Sequence, residues 1–431
     1  MLARIVYTLL LYLFAPLLML RLAVRGGRRW GERCGLITLS DGKPFLWVHA
    51  ASVGEVNAAI PLVEALLAHY PCCRLLLTTV TPTGSARVEQ VLGARVMHVY
   101  LPFDLPGAVR RFLKRSRPIL GVIVETELWP NLYTACARAG IPLLIANARL
   151  SERSMHGYQI VPVRRLIRDI LRKVAFIAAQ SSADAVRFCE LGASPERVEV
   201  VGNLKFDMPP PRGAQHTAMR WRDAWGKQRL VWIAASTHEP EEQPVLLAHL
   251  QILRHIPDAL LLIAPRHPQR FRAVEHAASL LGLRVATRSV EHCADHSTQC
   301  FIVDSMGELM NFYAAADLAF VGGSLAPIGG HNVLEPAALG CPVLVGPHTF
   351  NFEDITGSLL RAKAAERLAE PAALAPTVLA LLQNPVQRRA MGKAAIEISE
   401  AGRGALNRTL RKVAGLLGTR CSASPKSSRF L

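Results

Sequence analysis

The chain has no Cys-x-x-Cys pair, no His-Glu-x-x-His run, no Asp-x-Asp and no His/Cys cluster at ligand spacing. These absences argue against a structural zinc site, a metalloprotease centre and the cation motif of many sugar-nucleotide enzymes, so no metal is expected. No Gly-x-Gly-x-x-Gly follows the first strand-like run, which disfavours a dinucleotide oxidoreductase. The 9 cysteines are odd in number and show no framework spacing, the usage of reduced cytosolic thiols. Acidic residues are few. Against 50 Lys and Arg stand 33 Asp and Glu, a net charge of +17. That balance favours an anionic partner: nucleic acid, an anionic membrane or a phosphorylated substrate.

What is present is apolar and long. With 431 residues, 51% of them hydrophobic, the chain exceeds one ordinary core and suggests two domains. A mean hydropathy of +0.23 points to contact with lipid. Ile5 to Leu20 is an apolar run interrupted only by Thr8 and Pro16. As a helix it covers about 24 Å, short of a hydrocarbon core of about 30 Å. Residues 1–24 become long enough if Arg4 and Arg21 reach the headgroups, and Arg25, Arg28, Arg29 and Arg33 would keep the body cytoplasmic. A retained membrane anchor, spanning or lying in the interface, is therefore expected over 1–24; no cleavage site for a signal peptide follows the run.

From Phe45 to Lys205 buried strand-like runs alternate with helical stretches: FLWVHA, RLLLTTV, RVMHVYLPF, ILGVIVE and PLLIANA. This is βαβ rhythm, hence a parallel sheet covered on both faces. Residues 206–228, rich in Pro and Gly, read as a linker. The rhythm restarts with LVWIAAS, ALLLIAPR, FIVDS, DLAFVGG and PVLVGP. The expected organisation is an anchor at 1–24, a first Rossmann-like domain at 25–205, the linker at 206–228, a second such domain at 229–418 and a polar tail at 419–431. Two such domains would face each other across a cleft at the carboxyl ends of their strands.

The stretch Asp317–Pro347 carries the densest signal. A short strand leads into Gly322, Gly323, Gly329 and Gly330, and His331 to Leu339 reads as a helix with Glu335 about one turn in. Glycines admit a ligand to the backbone, a helix start offers N–H groups to phosphate, and Glu335 suits ribose hydroxyls. A tight βα turn without ligand is the alternative. Strand ends elsewhere place Glu55, then Glu125 and Glu127, then Arg149 and Arg153 at one sheet edge. Glu55 reads equally as a general base or as a helix-capping carboxylate. Arg149 and Arg153 suit an anionic acceptor. His238, Pro265-Arg266-His267 and Met306-Gly307-Glu308 end strands of the second half. The basic groups Arg110, Arg111, Lys114, Arg115, Arg117 and Arg164, Arg165, Arg168, Arg172, Lys173 lie on helical stretches, either solvated or facing anionic lipid.

The segments HAASVGE, ETELWPN, NARLSERS, NLKFD, PRHP, MGE and GGHNVLEP together resemble the 3-deoxy-D-manno-octulosonic acid (Kdo) transferases of lipid A assembly, which are GT-B glycosyltransferases. Pro240 and Val333 depart from the usual pattern, which has Gly and Pro there. The resemblance implies an α/β GT-B fold and inverting transfer of Kdo from CMP-Kdo to a phosphorylated lipid A precursor at the inner membrane, without nucleic acid, cofactor or metal. It implies Glu55 as base, with Glu125 and Lys205 supporting the transition state. It further implies that Pro265, Arg266, Met306, Gly307, Glu308, Asn332, Val333, Leu334 and Glu335 hold CMP. Glu127, Arg149 and Arg153 are candidate acceptor contacts. A GT-B enzyme using a UDP-sugar, transferase or epimerase, and a membrane-tethered nucleotide-binding protein without a base are the alternatives; donor screening and a Glu55→Ala variant separate them.

Overall fold

Alternation within single strands sets the layering. In strand β1 (Phe45–His49), Phe45 and Trp47 enter one apolar cluster while Leu46 and Val48 enter another. Both faces of the sheet are therefore covered, as the near-continuous apolar composition requires. The computed structural model describes residues 2–24, 29–39, 43–207, 211, 213–291 and 293–418, with the side chains of residues 2, 16–24 and 153 outside that description. The expected polar tail at 419–431, Arg25, Arg28, Pro209 and Pro210 lie outside the described residues.

The chain divides into two units, residues Met1–Met208 with Gly402–Leu431, and residues Pro209–Ala401. The first holds β1, β2 (Arg74–Thr79), β3 (Met97–Tyr100), β4 (Pro118–Val124), β5 (Leu143–Ala148), β6 (Phe176–Ala179) and β7 (Val198–Val200), all parallel, in the order β3-β2-β1-β4-β5-β6-β7. His49 at the end of β1 pairs with Ile123 of β4. The second holds β8 (Val231–Thr237), β9 (Leu260–Pro265), β10 (Val285–Thr287), β11 (Cys300–Ile302), β12 (Leu318–Val321), β13 (Val343–Val345) and β14 (Ala365–Arg367), again parallel, in the order β10-β11-β9-β8-β12-β13-β14.

Two features differ from the expected organisation. Residues 206–228 are not plain linker: Ala214–Trp225 is a helix whose Trp221 stacks on Phe312 at 4.3 Å and whose Trp225 is fully buried. The apolar positions Ala218, Trp221 and Trp225 share one helical face, a spacing that outweighs the flanking Pro and Gly. The C-terminal helix Ala405–Leu417 packs on the first unit rather than the second, burying Ala405, Val413 and Leu417 against that sheet.

The N-terminal helix Leu2–Val24 docks one face on the first unit. Leu11 and Ala15 meet Leu105 and Ala108, Asn131 donates to the Thr8 hydroxyl at 3.0 Å, and Tyr7 hydrogen-bonds the buried Asp104. Its other face exposes Ile5, Val6, Leu9, Leu10, Tyr12, Leu13 and Phe14. Among the described residues no helix is long and apolar enough to cross a membrane. Of the basic helical residues, Arg111 and Arg115 do not face outward freely: they bond the carbonyls of Cys34 and Gly35 at 2.8 and 2.7 Å.

Candidate functional site

The first sheet changes winding direction between β1 and β4 and the second between β8 and β12, and such switch points open a crevice at the strand carboxyl ends. Of the predicted residues, Glu55, Glu125 and Glu127 follow β1 and β4 at the first of these places and Asn332 to Glu335 follow β12 at the second, while Arg266 follows β9 and Met306 to Glu308 follow β11, one and two strands from β8. Three non-glycine residues there, Glu125, Asn147 and Ser236, have left-handed backbone with φ of 61°, 53° and 56°. Conformations of that kind cost energy and persist where the surroundings enforce them, frequently at working sites.

In the first unit, Ser52 caps the helix Val53–His69 and Glu55 is its third residue. The Glu55 carboxylate accepts the Ala51 N–H at 2.7 Å and the Ser52 hydroxyl at 3.0 Å, so it does serve as a cap. Its pKa is nevertheless pushed up to about 7, chiefly by burial and further by the charges of Glu127 and Glu125, against the pull of those two hydrogen bonds. A carboxyl poised near neutrality can take up and release a proton. Glu125 Oε1 stands 3.9 Å from Lys205 Nζ. Lys205 is positioned through amides: its N–H bonds Asn203 Oδ1 at 3.0 Å, Asn203 donates to Gln180 at 3.0 Å, and Gln180 donates to the Asn147 carbonyl at 2.9 Å. Asn147 in turn accepts the Leu204 N–H at 2.9 Å.

Glu127 accepts the Trp129 indole N–H at 2.9 Å and lies 3.8 Å from Nε2 of His49, which is fully buried and whose Nε2 has no hydrogen bond. Arg149 is half-buried, its carbonyl accepting the Thr126 hydroxyl. Arg153 belongs to the helix Glu152–Gln159, but its side chain lies outside the described residues.

In the second unit Pro265 ends β9, and the Arg266 N–H bonds the Thr237 carbonyl at 2.9 Å, so Arg266 and His238 leave adjacent strands together. The helix read from His331 to Leu339 is shorter, Leu334–Ala338. Pro336 lacks an N–H and is tolerated in a first turn but not mid-helix, so the helix starts later and Glu335 sits at its beginning. Asn332 Nδ2 bonds Glu335 at 3.1 Å while its Oδ1 takes the Leu334 N–H at 3.1 Å; Val333 and Leu334 are buried. Met306 is exposed, Gly307 has φ 89°, and Glu308 pairs with Arg288 at 2.7 Å at the start of the helix Leu309–Ala315.

Within the glycine loop the N–H groups have an internal acceptor. The carboxylate of Glu241 occupies those of Gly323, Ser324, Leu325 and Ala326 at 2.7 to 3.2 Å. The loop is shaped around a buried internal anion. Glu241 follows His238 by three residues at a helix start, the position from which a carboxylate reaches back, and that spacing was its only local signal. Gln180, His49 and the His238–His331 contact described below also escaped the sequence reading as site components.

Taken together, the fold and these residues define an α/β enzyme assembled from two doubly wound units, each with polar groups at the carboxyl ends of its strands. A family model described as 3-Deoxy-D-manno-octulosonic-acid transferase (kdotransferase) matches residues 28–208. The 3-deoxy-D-manno-octulosonic acid transferase of Haemophilus influenzae is 40% identical over 94% of this chain and 97% of its own. That of Bordetella pertussis is 38% identical over 96% of this chain and 100% of its own. A solved glycosyltransferase from Rickettsia africae covers 89% of this chain and 100% of its own with a TM-score of 0.55 at 14% identity, a likeness of fold. The chain belongs to the 3-deoxy-D-manno-octulosonic acid transferase family and is a glycosyltransferase.

Proposed function

We propose that the chain transfers Kdo, with inversion, from CMP-Kdo to a hydroxyl of the phosphorylated lipid A precursor in lipopolysaccharide biosynthesis, with Glu55 as general base. One observation carries the assignment of the base: a carboxyl with pKa pushed up to about 7 lies at the first switch point, beside the Glu125–Lys205 pair. Deprotonated Glu55 takes the acceptor proton as the sugar bond forms. Glu125 and Lys205 support the charge that develops at the reacting centre. Pro265, Arg266, the Met306–Glu308 loop and Asn332 to Glu335 hold the CMP. Its leaving group carries one phosphate, for which Arg266 of the second unit supplies positive charge, and the reaction proceeds without a divalent cation. Activity that EDTA abolishes and magnesium restores would contradict this.

The acceptor reading and a place on the cytoplasmic face of the inner membrane draw support from the surface of the first unit. The exposed apolar face of Leu2–Val24 suits the interfacial layer, and Arg164, Arg168 and Arg172 line an open cavity of about 390 Å³ on the helix Val161–Leu171 against which that N-terminal helix packs. Incubation with CMP-Kdo and a tetraacylated lipid A precursor tests the function. A product heavier by one or more Kdo residues is expected, and none with this donor while a UDP-sugar is consumed would transfer the assignment to another sugar nucleotide.

A further inference from the structure

His238 and His331 meet edge to edge in the second unit, ring planes 4° from parallel, centroids 5.1 Å apart and Nε2 atoms 2.8 Å apart. At that separation the two nitrogens share one proton, since one must donate and the other accept. The contact is built into the loop. Gly323 has φ 68°, and a Cβ there would stand 2.9 Å from Cδ2 of His331, so a side chain would displace the ring. Gly330 N–H closes the loop on the Gly323 carbonyl at 2.7 Å, and Glu241 holds the N–H groups of both His238 and Gly323.

The charged groups around the pair come from two elements. Glu241, on the helix Glu239–Leu253, favours a proton on His238. Arg266 and His267, after β9, oppose one on either ring, His267 packing edge-on to His238 at 5.2 Å. The loop Gly322–Gly330 brings no titratable group. Burial acts with Arg266, holding His331 down to about 4 and His238 below its ordinary value. Positive and latent positive groups thus converge here, while the one carboxylate is saturated by N–H donors.

We propose that the His238–His331 pair is the proton-holding part of an anion site for the donor nucleotide's phosphate. The phosphate, singly charged in the donor's diester and a dianion in CMP once the sugar has left, draws a second proton from solvent onto the pair as that charge appears beside Arg266, the Nε2 contact opens, and both imidazoles become donors. No covalent bond forms or breaks in this step, and the proton returns to solvent when CMP leaves. Both histidines are positioning residues for the phosphate. The inference rests on the second unit being the donor-binding one.

Calorimetric titration of the full chain with CMP at pH 8, in two buffers of different ionisation enthalpy, counts the proton. Uptake of roughly half a proton or more per CMP is expected, together with affinity that weakens as pH rises from 7 to 9. His331→Gln and His238→Gln keep an N–H donor but cannot be protonated, so they should bind CMP within roughly tenfold of the parent and lose the uptake. CMP bound by the parent chain without uptake, or uptake persisting in both variants and therefore residing on the phosphate, overturns the inference and leaves the donor assignment standing. A parent chain that binds no CMP sinks the donor assignment and this inference with it.

Discussion

Oε2 of Glu241 accepts the N–H of Gly323 at 2.7 Å, and the same carboxylate takes the N–H groups of His238, Ser324, Leu325 and Ala326. Five backbone donors thus converge on one buried side chain that is 1% exposed. Its charge replaces solvent for a loop that would otherwise bury unpaired N–H groups.

Glu241→Gln retains the volume but turns an amide NH2 toward donors. Loss of about 2–4 kcal/mol in the second unit is expected by denaturant melting. A loss under about 0.5 kcal/mol would show that the loop holds itself without the anion.

As the proposed base, Glu55 would set the pH dependence of turnover. A base must be deprotonated to act, so turnover with saturating substrates should rise through pH of about 7, following the raised Glu55 pKa. Glu55→Gln should lower turnover by about a hundredfold or more with little change in CMP affinity. Near-parental turnover would remove Glu55 from the chemistry. The sign for stability follows from the same shift. Because the folded pKa lies above the ordinary 4.5, the contribution is complete below that value and lost as pH rises through about 7. The variant should therefore gain about 1–3 kcal/mol over the parent at pH 8 and little at pH 4.

The long strands were legible because β1, β4, β8 and β12 are apolar runs bounded by polar loops, and the residues ending them were legible as an edge. Three-residue strands such as β7, β10 and β14 carry no period to read. Glu241 could not be paired with Gly323 from sequence, since 82 residues separate them and the local pattern shows only a helix start. The glycines read correctly as a loop stripped of side chains, but what fills the space is His331 and a carboxylate. The cap and base readings of Glu55 were both open, and the structure shows the cap contacts together with a carboxyl whose pKa is raised chiefly by burial. The C-terminal helix was not singled out in the sequence, and its choice of unit depends on contacts about 200 residues apart, whose closure no local pattern encodes.

Those contacts run through Asp207, whose carboxylate accepts the N–H groups of Gly404 and Leu406 at 2.6 and 2.7 Å. The preceding residue, Phe206, lies against Gly402, where a Cβ would meet its ring at 2.3 Å. Lys205 is thus held from the C-terminal side by a helix start. Asp207→Asn should reduce turnover about tenfold or more while CMP affinity changes less than about threefold, since only the aim of Lys205 is disturbed. Equal losses in both would make Asp207 a general stability residue, and restored turnover in Asp207→Glu would favour positioning.

The last prediction concerns the outward face of the N-terminal helix. Leu9 and Leu13 are 63% and 71% exposed and lie one turn apart, while Leu11 and Ala15 hold the opposite side to the first unit. Replacing both with Glu removes no packed contact, so stability should change by less than about 0.5 kcal/mol. If this face enters the interface, it loses two leucines worth about 1.5–3 kcal/mol each on full burial and gains two charges that anionic headgroups repel. Binding to vesicles of anionic phospholipid should then fall at least about tenfold, and activity on bilayer-embedded acceptor should fall with it. Acceptor dispersed in detergent should be used at close to the parental rate, because the groups at the switch points are untouched. Unchanged vesicle binding would assign docking to the basic residues around Arg164, Arg168 and Arg172, and a fall in detergent activity equal to that on bilayers would mean that the helix supports the fold of the first unit rather than its place at the membrane.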